Sequence, residues 1–136
     1  MLTEVEQRLR TLLINWANKF PTEPLHYGTV GGWFDLDMSS PSDRNVLSEM
    51  LGNVAQFEYE HKRPFLSAIV TYSPTTMGNR QFEVGDDMVH GPGLVNRALA
   101  MGLDQDPNFN PATFGEDQQK ECYRFWQNPK KYRQFK

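Results

Sequence analysis

A single cysteine in 136 residues excludes a disulfide framework and a cysteine-rich zinc module, and nothing else argues for an oxidising compartment. No apolar run approaches the roughly 18 residues that a membrane span needs. The N-terminal stretch MLTEVEQRLR is charged where a secretion signal would be apolar. Internal repeats and low-complexity segments are missing. So are a complete phosphate loop, a nucleophile elbow, a Ser-His-Asp pattern, and any RNA-recognition or zinc-finger signature. These absences predict a soluble, cytoplasmic protein with no membrane partner. The length suits one domain, so residues 1–136 are read as a single domain with a basic C-terminal end from about 128.

What is present is an uneven charge. The formal net charge is −3, yet the stretch from Lys120 to Lys136 holds six basic residues against one acid, Glu121, for +5. The remaining 119 residues carry eight basic and sixteen acidic groups, for −8. A basic end on an acidic body points to an acidic partner at that end, and the plainer reading is a solubilising tail on a terminal helix.

Thr3 followed by Glu6 is a capping-box pattern. Val5, Leu9, Leu12, Leu13, Trp16 and Phe20 then recur at helical spacing until Pro21. Thr29 to Asp37 suggests a short helix weakened by Gly31 and Gly32. Ser40-Pro41-Ser42-Asp43 is a helix start, and Val46, Leu47, Met50, Leu51, Val54 and Phe57 make one face of a helix reaching about Glu60. Phe65 to Tyr72 is apolar on both parities and reads as an inner strand. Gln81 to Val84 reads as its antiparallel partner, with Ser73 to Arg80 as the hairpin tip. Leu94 to Met101 is a short helix ended by Gly102. Thr113 with Glu116 repeats the capping box before a stripe of Phe114, Gln118, Cys122, Phe125 and Trp126. The expected fold is therefore α+β, a small helical domain with a short antiparallel β-hairpin in a winged-helix-like layout.

Five features carry possible chemistry. Cys122 falls inside an apolar stripe, where a free cysteine packs as a small hydrophobe rather than acting as a nucleophile. Glu58 to Arg63 gathers ionisable groups where a helix ends: Glu60 and His61 suit general acid–base work, and Arg63 an anionic transition state. The plain alternative is a solvated helix end whose cations complement the helix dipole. Asp86, Asp87 and His90 offer oxygen and imidazole ligands for a divalent ion, or simply an acidic turn. Gly91-Pro92-Gly93 opens a helix whose amides suit an anion, although glycines there are more often turn chemistry. Tyr123, Phe125, Trp126, Tyr132 and Phe135 interleave with the terminal cations, a mixture suited to base stacking with phosphate contact or to core packing.

Tyr27-Gly28, Leu47 to Gly52, Arg63-Pro64-Phe65-Leu66-Ser67-Ala68-Ile69-Val70, Gly91-Pro92-Gly93 and Phe125-Trp126 together resemble a family of small bacterial proteins of uncharacterised activity. Its members carry an Arg-Pro-x-Leu-Ser-Ala strand followed by a glycine-rich turn. The resemblance spans about Leu25 to Trp126 and implies kinship without an activity. Tyr27-Gly28 and Leu51-Gly52 also loosely resemble the winged-helix domain of alkyltransferase-like proteins. The Pro-Cys-His-Arg reactive motif of the enzymes is missing, since Cys122 stands in Lys-Glu-Cys-Tyr-Arg, so alkyl transfer is rejected.

The expectation is a non-enzymatic binding or regulatory protein of bacterial or phage origin, without a cofactor, whose partner is nucleic acid or another protein. The residues expected to contact nucleic acid are Arg44, Lys62, Arg63, Lys130, Lys131, Arg133 and Lys136. The alternative is a metal-dependent nuclease or phosphoryl-transfer enzyme. There Asp86, Asp87 and His90 would hold a divalent ion that activates water, Glu60 and His61 would be catalytic, and Arg63 would steady the phosphate.

Overall fold

A computed structural model describes residues 2–20, 23, 25–71 and 92–136. Helix α1, Glu4–Lys19, starts with the expected capping box: the Glu6 amide donates to Thr3 Oγ1 at 3.1 Å and the Thr3 amide to Glu6 Oε1 at 3.0 Å. Its buried face is Leu9, Leu13, Ile14 and Ala17, with Glu6 at its start. Val5 and Phe20, at the ends of the expected stripe, are exposed.

Strand β1, Leu25–His26, leads straight into the short helix α2, Tyr27–Gly32, which starts and ends earlier than the glycine pattern suggested. Helix α3, Pro41–Glu60, begins where Ser40 Oγ accepts from the Asp43 amide and Pro41 takes the first turn. It buries Leu47, Met50, Leu51, Val54, Ala55 and Glu58. Lys62 then turns the chain out of the helix at φ 61°, with the Arg63 amide returning to the Glu58 carbonyl at 2.9 Å.

The segment expected as an inner strand is different. Leu66–Ile69 is a 3₁₀ turn, and only Val70–Thr71 forms a strand, β2. Phe65, Leu66, Ala68, Ile69 and Val70 are all buried, so the run is apolar on every side because helices surround it. Among the described residues it has a ladder partner only at Val70–Thr71, and the rest of its backbone bonds elsewhere. The Ala68 amide returns to the Phe65 carbonyl at 3.1 Å, and the Phe65 amide donates to Gln118 Oε1 at 2.8 Å.

β2 pairs with β1 in parallel, Leu25 opposite Val70 and His26 opposite Thr71. Parallel neighbours need a crossover, here α2 and α3, so this sheet is not a hairpin. The antiparallel, winged-helix-like expectation is thereby overturned: the described residues form a helical domain with one two-residue parallel ladder. The expected partner Gln81 to Val84 and its tip Ser73 to Arg80 lie outside the described residues.

Helix α4, Pro92–Ala100, is ended by Gly102 in the left-handed region at φ 83°. Helix α5, Phe114–Gln127, lacks the expected capping box: Thr113 Oγ1 donates to Asp117 Oδ2 at 3.1 Å and makes no cap bond. A last helix, α6, Pro129–Phe135, occupies what the charge run had marked only as a basic end. Asn128 Oδ1 accepts from the amides of Lys130 and Lys131, and Pro129 fills the first turn.

Two apolar clusters result. The larger joins α1, α3, the 3₁₀ turn and α5 around Leu9, Leu13, Val54, Leu66 and Trp126. The smaller packs α4 over Ala55, Phe65, Ala68 and Phe114, with the Phe65 and Phe114 rings edge-on at 5.2 Å.

Glu6 ties the start of α1 to α3, because Asn53 Nδ2 donates to its Oε2 at 2.6 Å. Burial raises its pKa, but the hydrogen bonds from the Thr3 backbone and Asn53 outweigh that and hold it below the ordinary carboxylate value. A lowered folded pKa means the stabilisation is complete above the unfolded value of about 4.3 and is lost as pH falls through the lowered one. Glu6→Gln keeps the capping geometry and removes the charge. Denaturation midpoints measured across acid pH are expected to fall less steeply below about pH 4.3 in the variant than in the parent.

Candidate functional site

At the centre of the molecule Glu58 is fully buried and receives two arginines. Arg10 Nε donates to Glu58 Oε1, and Arg63 Nε donates to Oε2 at 2.5 Å. The arginine side chains are 12% and 8% exposed, so one excess positive charge sits inside the fold. Aromatic faces and a carbonyl accommodate it. Arg10 lies over Phe57 and Trp126, and Arg63 over Phe57 and Phe135, at 5.5–5.8 Å. Arg10 Nη2 also donates to the Phe135 carbonyl at 2.6 Å. Arg63, expected to meet phosphate, is therefore committed to Glu58 rather than offered to solvent.

The neighbouring ionisable residues do not join this triad. Glu60, His61 and Lys62 are exposed. Glu60 accepts from Gln56 at 3.1 Å, while His61 stacks on the Phe57 ring at 4.3 Å. His61 Nδ1 is 2.7 Å from the Phe57 carbonyl, which can only accept, so that nitrogen carries the proton. Asp86, Asp87 and His90 lie outside the described residues. Among the described residues no three His, Cys, Asp or Glu side chains gather as metal ligands.

Helix α6 presents the terminal cations. Lys130, Lys131, Arg133 and Lys136 are exposed. Lys120 and Arg124 on α5 are paired with Glu116 and Glu121 at 3.2 and 2.7 Å, whereas among the described residues the three α6 cations and Lys136 have no carboxylate partner. The helix is pinned to the body. Tyr132 Oη donates to Asn15 Oδ1 at 2.9 Å, Arg10 holds the Phe135 carbonyl, and the Phe135 and Phe125 rings meet at 5.8 Å.

Lys62 follows α3 at the end marked by the Arg63–Phe135 contact, and so brings a further exposed cation to that end. Arg44 does not belong with it. It donates to the Met38 carbonyl at 3.0 Å at the opposite end of α3, about 25 Å away at 1.5 Å rise per residue. The interleaved aromatics point inward: Trp126 is fully buried, and Tyr123, Phe125, Tyr132 and Phe135 pack half-buried against the larger core.

Cys122 sits in that core too, its Sγ donating to the Phe65 carbonyl at 2.9 Å. Burial pushes its thiol well above the ordinary range, and the negative charges of Glu58 and Glu121 add to this. The thiolate is the reactive form. Ellman's reagent at pH 8 is therefore expected to leave the native protein almost unlabelled and to label one thiol per chain promptly in guanidinium chloride. Prompt native labelling would contradict the packing described.

No family model, curated protein or solved structure matches this chain, so its functional reading rests on the geometry above.

Proposed function

We propose that this protein is a binding protein that engages the phosphate backbone of a nucleic acid through α6 and Lys62. The observation that carries the reading is the set of four exposed cations, three on α6 and Lys136 just after it, on a helix pinned to the body, none paired with a carboxylate among the described residues. Prior fixation of the helix lowers the ordering cost of binding. The −8 body repels phosphate, so contact is confined to the basic end and few phosphates are met. The aromatic side chains are spent on packing, which favours phosphate contact over base stacking and therefore little sequence preference.

With about four phosphates neutralised, log K should fall against log salt with a slope of about −3.6 on duplex DNA and about −2.8 on single strands. Fluorescence anisotropy between low and physiological salt, with duplex DNA, single strands and RNA, measures this. Lys130→Gln combined with Lys131→Gln should flatten the slope by about 2 while leaving the melting temperature unchanged. Absence of binding to all three probes at low salt overturns the proposal. So does displacement by polyglutamate as complete as by duplex DNA, which would make the partner an acidic protein.

A further inference from the structure

A cavity of about 300 Å³ opens between α3 and α4, away from the basic end, and Arg97 forms part of its wall. The guanidinium of Arg97 lies flat on the backbone of α3 at Gly52. A Cβ at position 52 would stand 2.5 Å from Nη2, 2.7 Å from Cζ and 2.8 Å from Nε. Glycine inside a helix costs about 1 kcal/mol relative to alanine. Here it gives the guanidinium its seat. Gly93 also lets α4 approach, less tightly, since a Cβ there would stand 3.3 Å from Ser48 Oγ.

The charge seated in this way is oriented but not neutralised. Arg97 Nη1 donates to Asn53 Oδ1 at 3.3 Å and to Gln56 Oε1 at 3.0 Å, both neutral acceptors. Both bonds leave from Nη1, and among the described residues Nε and Nη2 donate no hydrogen bond, so that edge is open to a ligand. Among the described residues its carboxylate partner is Glu49, 3.6 Å from Nη2 and 71% exposed, a loose pair that a ligand can part. The cavity thus carries a cation and an anion side by side, with Leu51, Ala55 and Leu94 among its apolar lining.

We infer that this cavity binds a small zwitterion, a free α-amino acid with an apolar side chain. Its carboxylate takes the Nε–Nη2 edge of Arg97, the planar two-donor geometry that suits a carboxylate. Its ammonium takes Glu49, and its side chain lies against Leu51, Ala55 and Leu94. The volume falls at the lower end of small-molecule sites. An anion alone would face Glu49, and a cation alone would face Arg97, so each single-charge analogue meets a like charge.

The test is amide-resolved NMR titration of the whole chain with L-leucine, L-valine and L-phenylalanine at millimolar concentration, beside 3-methylbutylamine and 4-methylpentanoate. The amino acids should move the Ser48, Gly52, Gly93 and Arg97 resonances, and the two analogues of leucine should not. Glu49→Gln, at an exposed position, should leave the fold intact and weaken binding about tenfold. Gly52→Ala should unseat Arg97 and remove binding. Unmoved cavity resonances with all three amino acids overturn the inference. Equal binding of 4-methylpentanoate, or undiminished binding by the Glu49→Gln protein, overturns it as well.

Discussion

Glu58→Gln is expected to destabilise the protein by about 3–5 kcal/mol, the range found when one partner of a buried ion pair is removed. That corresponds to a melting temperature lower by roughly 10 °C or more. Glu58 has no exposed side-chain surface, and both of its oxygens serve arginines. An arginine cannot relieve the loss by shedding its proton, because a guanidinium stays charged in proteins. Two guanidinium groups would then share a buried site with one amide, one carbonyl and three aromatic rings. Arg63→Gln should do less harm, since it leaves Arg10 and Glu58 as a neutral pair.

The effect should also reach α6. Arg10 holds the Phe135 carbonyl, and Arg63 lies over the Phe135 ring. In the Glu58→Gln protein, proteolysis at Lys130, Lys131 and Arg133 should therefore precede global unfolding. Equilibrium denaturation followed by urea titration measures the first effect. A triple replacement, Arg10→Met with Glu58→Leu and Arg63→Met, should recover most of the lost stability by removing the charges together. A Glu58→Gln midpoint indistinguishable from the parent's would mean that the triad does not carry the charge balance described.

The local chemistry of the chain explains which parts were legible in sequence. The Thr3–Glu6 capping box, the Ser40-Pro41 start and the Gly102 stop rest on atoms within a few residues of one another, and all three are found in place. Asn128-Pro129 carries the same start signal as Ser40-Pro41, but the surrounding positive charge drew attention to a tail instead of a helix. Thr113 and Glu116 have capping-box spacing, yet the Thr113 hydroxyl goes to Asp117, so spacing alone misleads there. The stretch from Phe65 to Val70 failed for a non-local reason. A run apolar on both parities describes an inner strand and a turn wedged among helices equally well. What decides is Gln118 taking the Phe65 amide and Cys122 taking its carbonyl, more than fifty residues away.

The candidate sites divide in the same way. The cations of α6 were visible because net charge is additive along the chain and needs no fold. The triad was not, since Arg10 lies 48 residues from Glu58. Arg63 looked available for phosphate only because its partner, five residues earlier, was read as part of a solvated helix end. In sequence Gly52 is only one residue of the Leu51-Gly52 pair, because its role, seating the Arg97 guanidinium, depends on another helix.

Trp126 gives the second large effect, and here the size of the replacement decides the outcome. The indole is fully buried between α1 and α5, edge-on to Phe125 at 4.7 Å and beneath Arg10 at 5.8 Å. Trp126→Ala is expected to cost about 3–5 kcal/mol, combining lost burial with a cavity that the surrounding helices cannot close. Neighbouring backbone ties resist such closure. Asn18 donates to the Trp126 carbonyl at 2.9 Å, and Gln127 donates to the carbonyls of Ala17 and Asn18 at 2.6 and 2.7 Å. Trp126→Phe is a different experiment. The indole Nε1 is buried without a hydrogen-bond partner among the described residues, and an unmade bond of that kind costs about 1–3 kcal/mol. Phenylalanine loses part of the apolar contact but removes that unpaired donor, and it keeps an aromatic face under Arg10. The two terms oppose each other, so the net change should stay within about 1 kcal/mol. Paired urea denaturation of the two variants separates the contributions. A phenylalanine variant as unstable as the alanine variant would show that the indole N–H is stabilising and that volume alone does not explain the site.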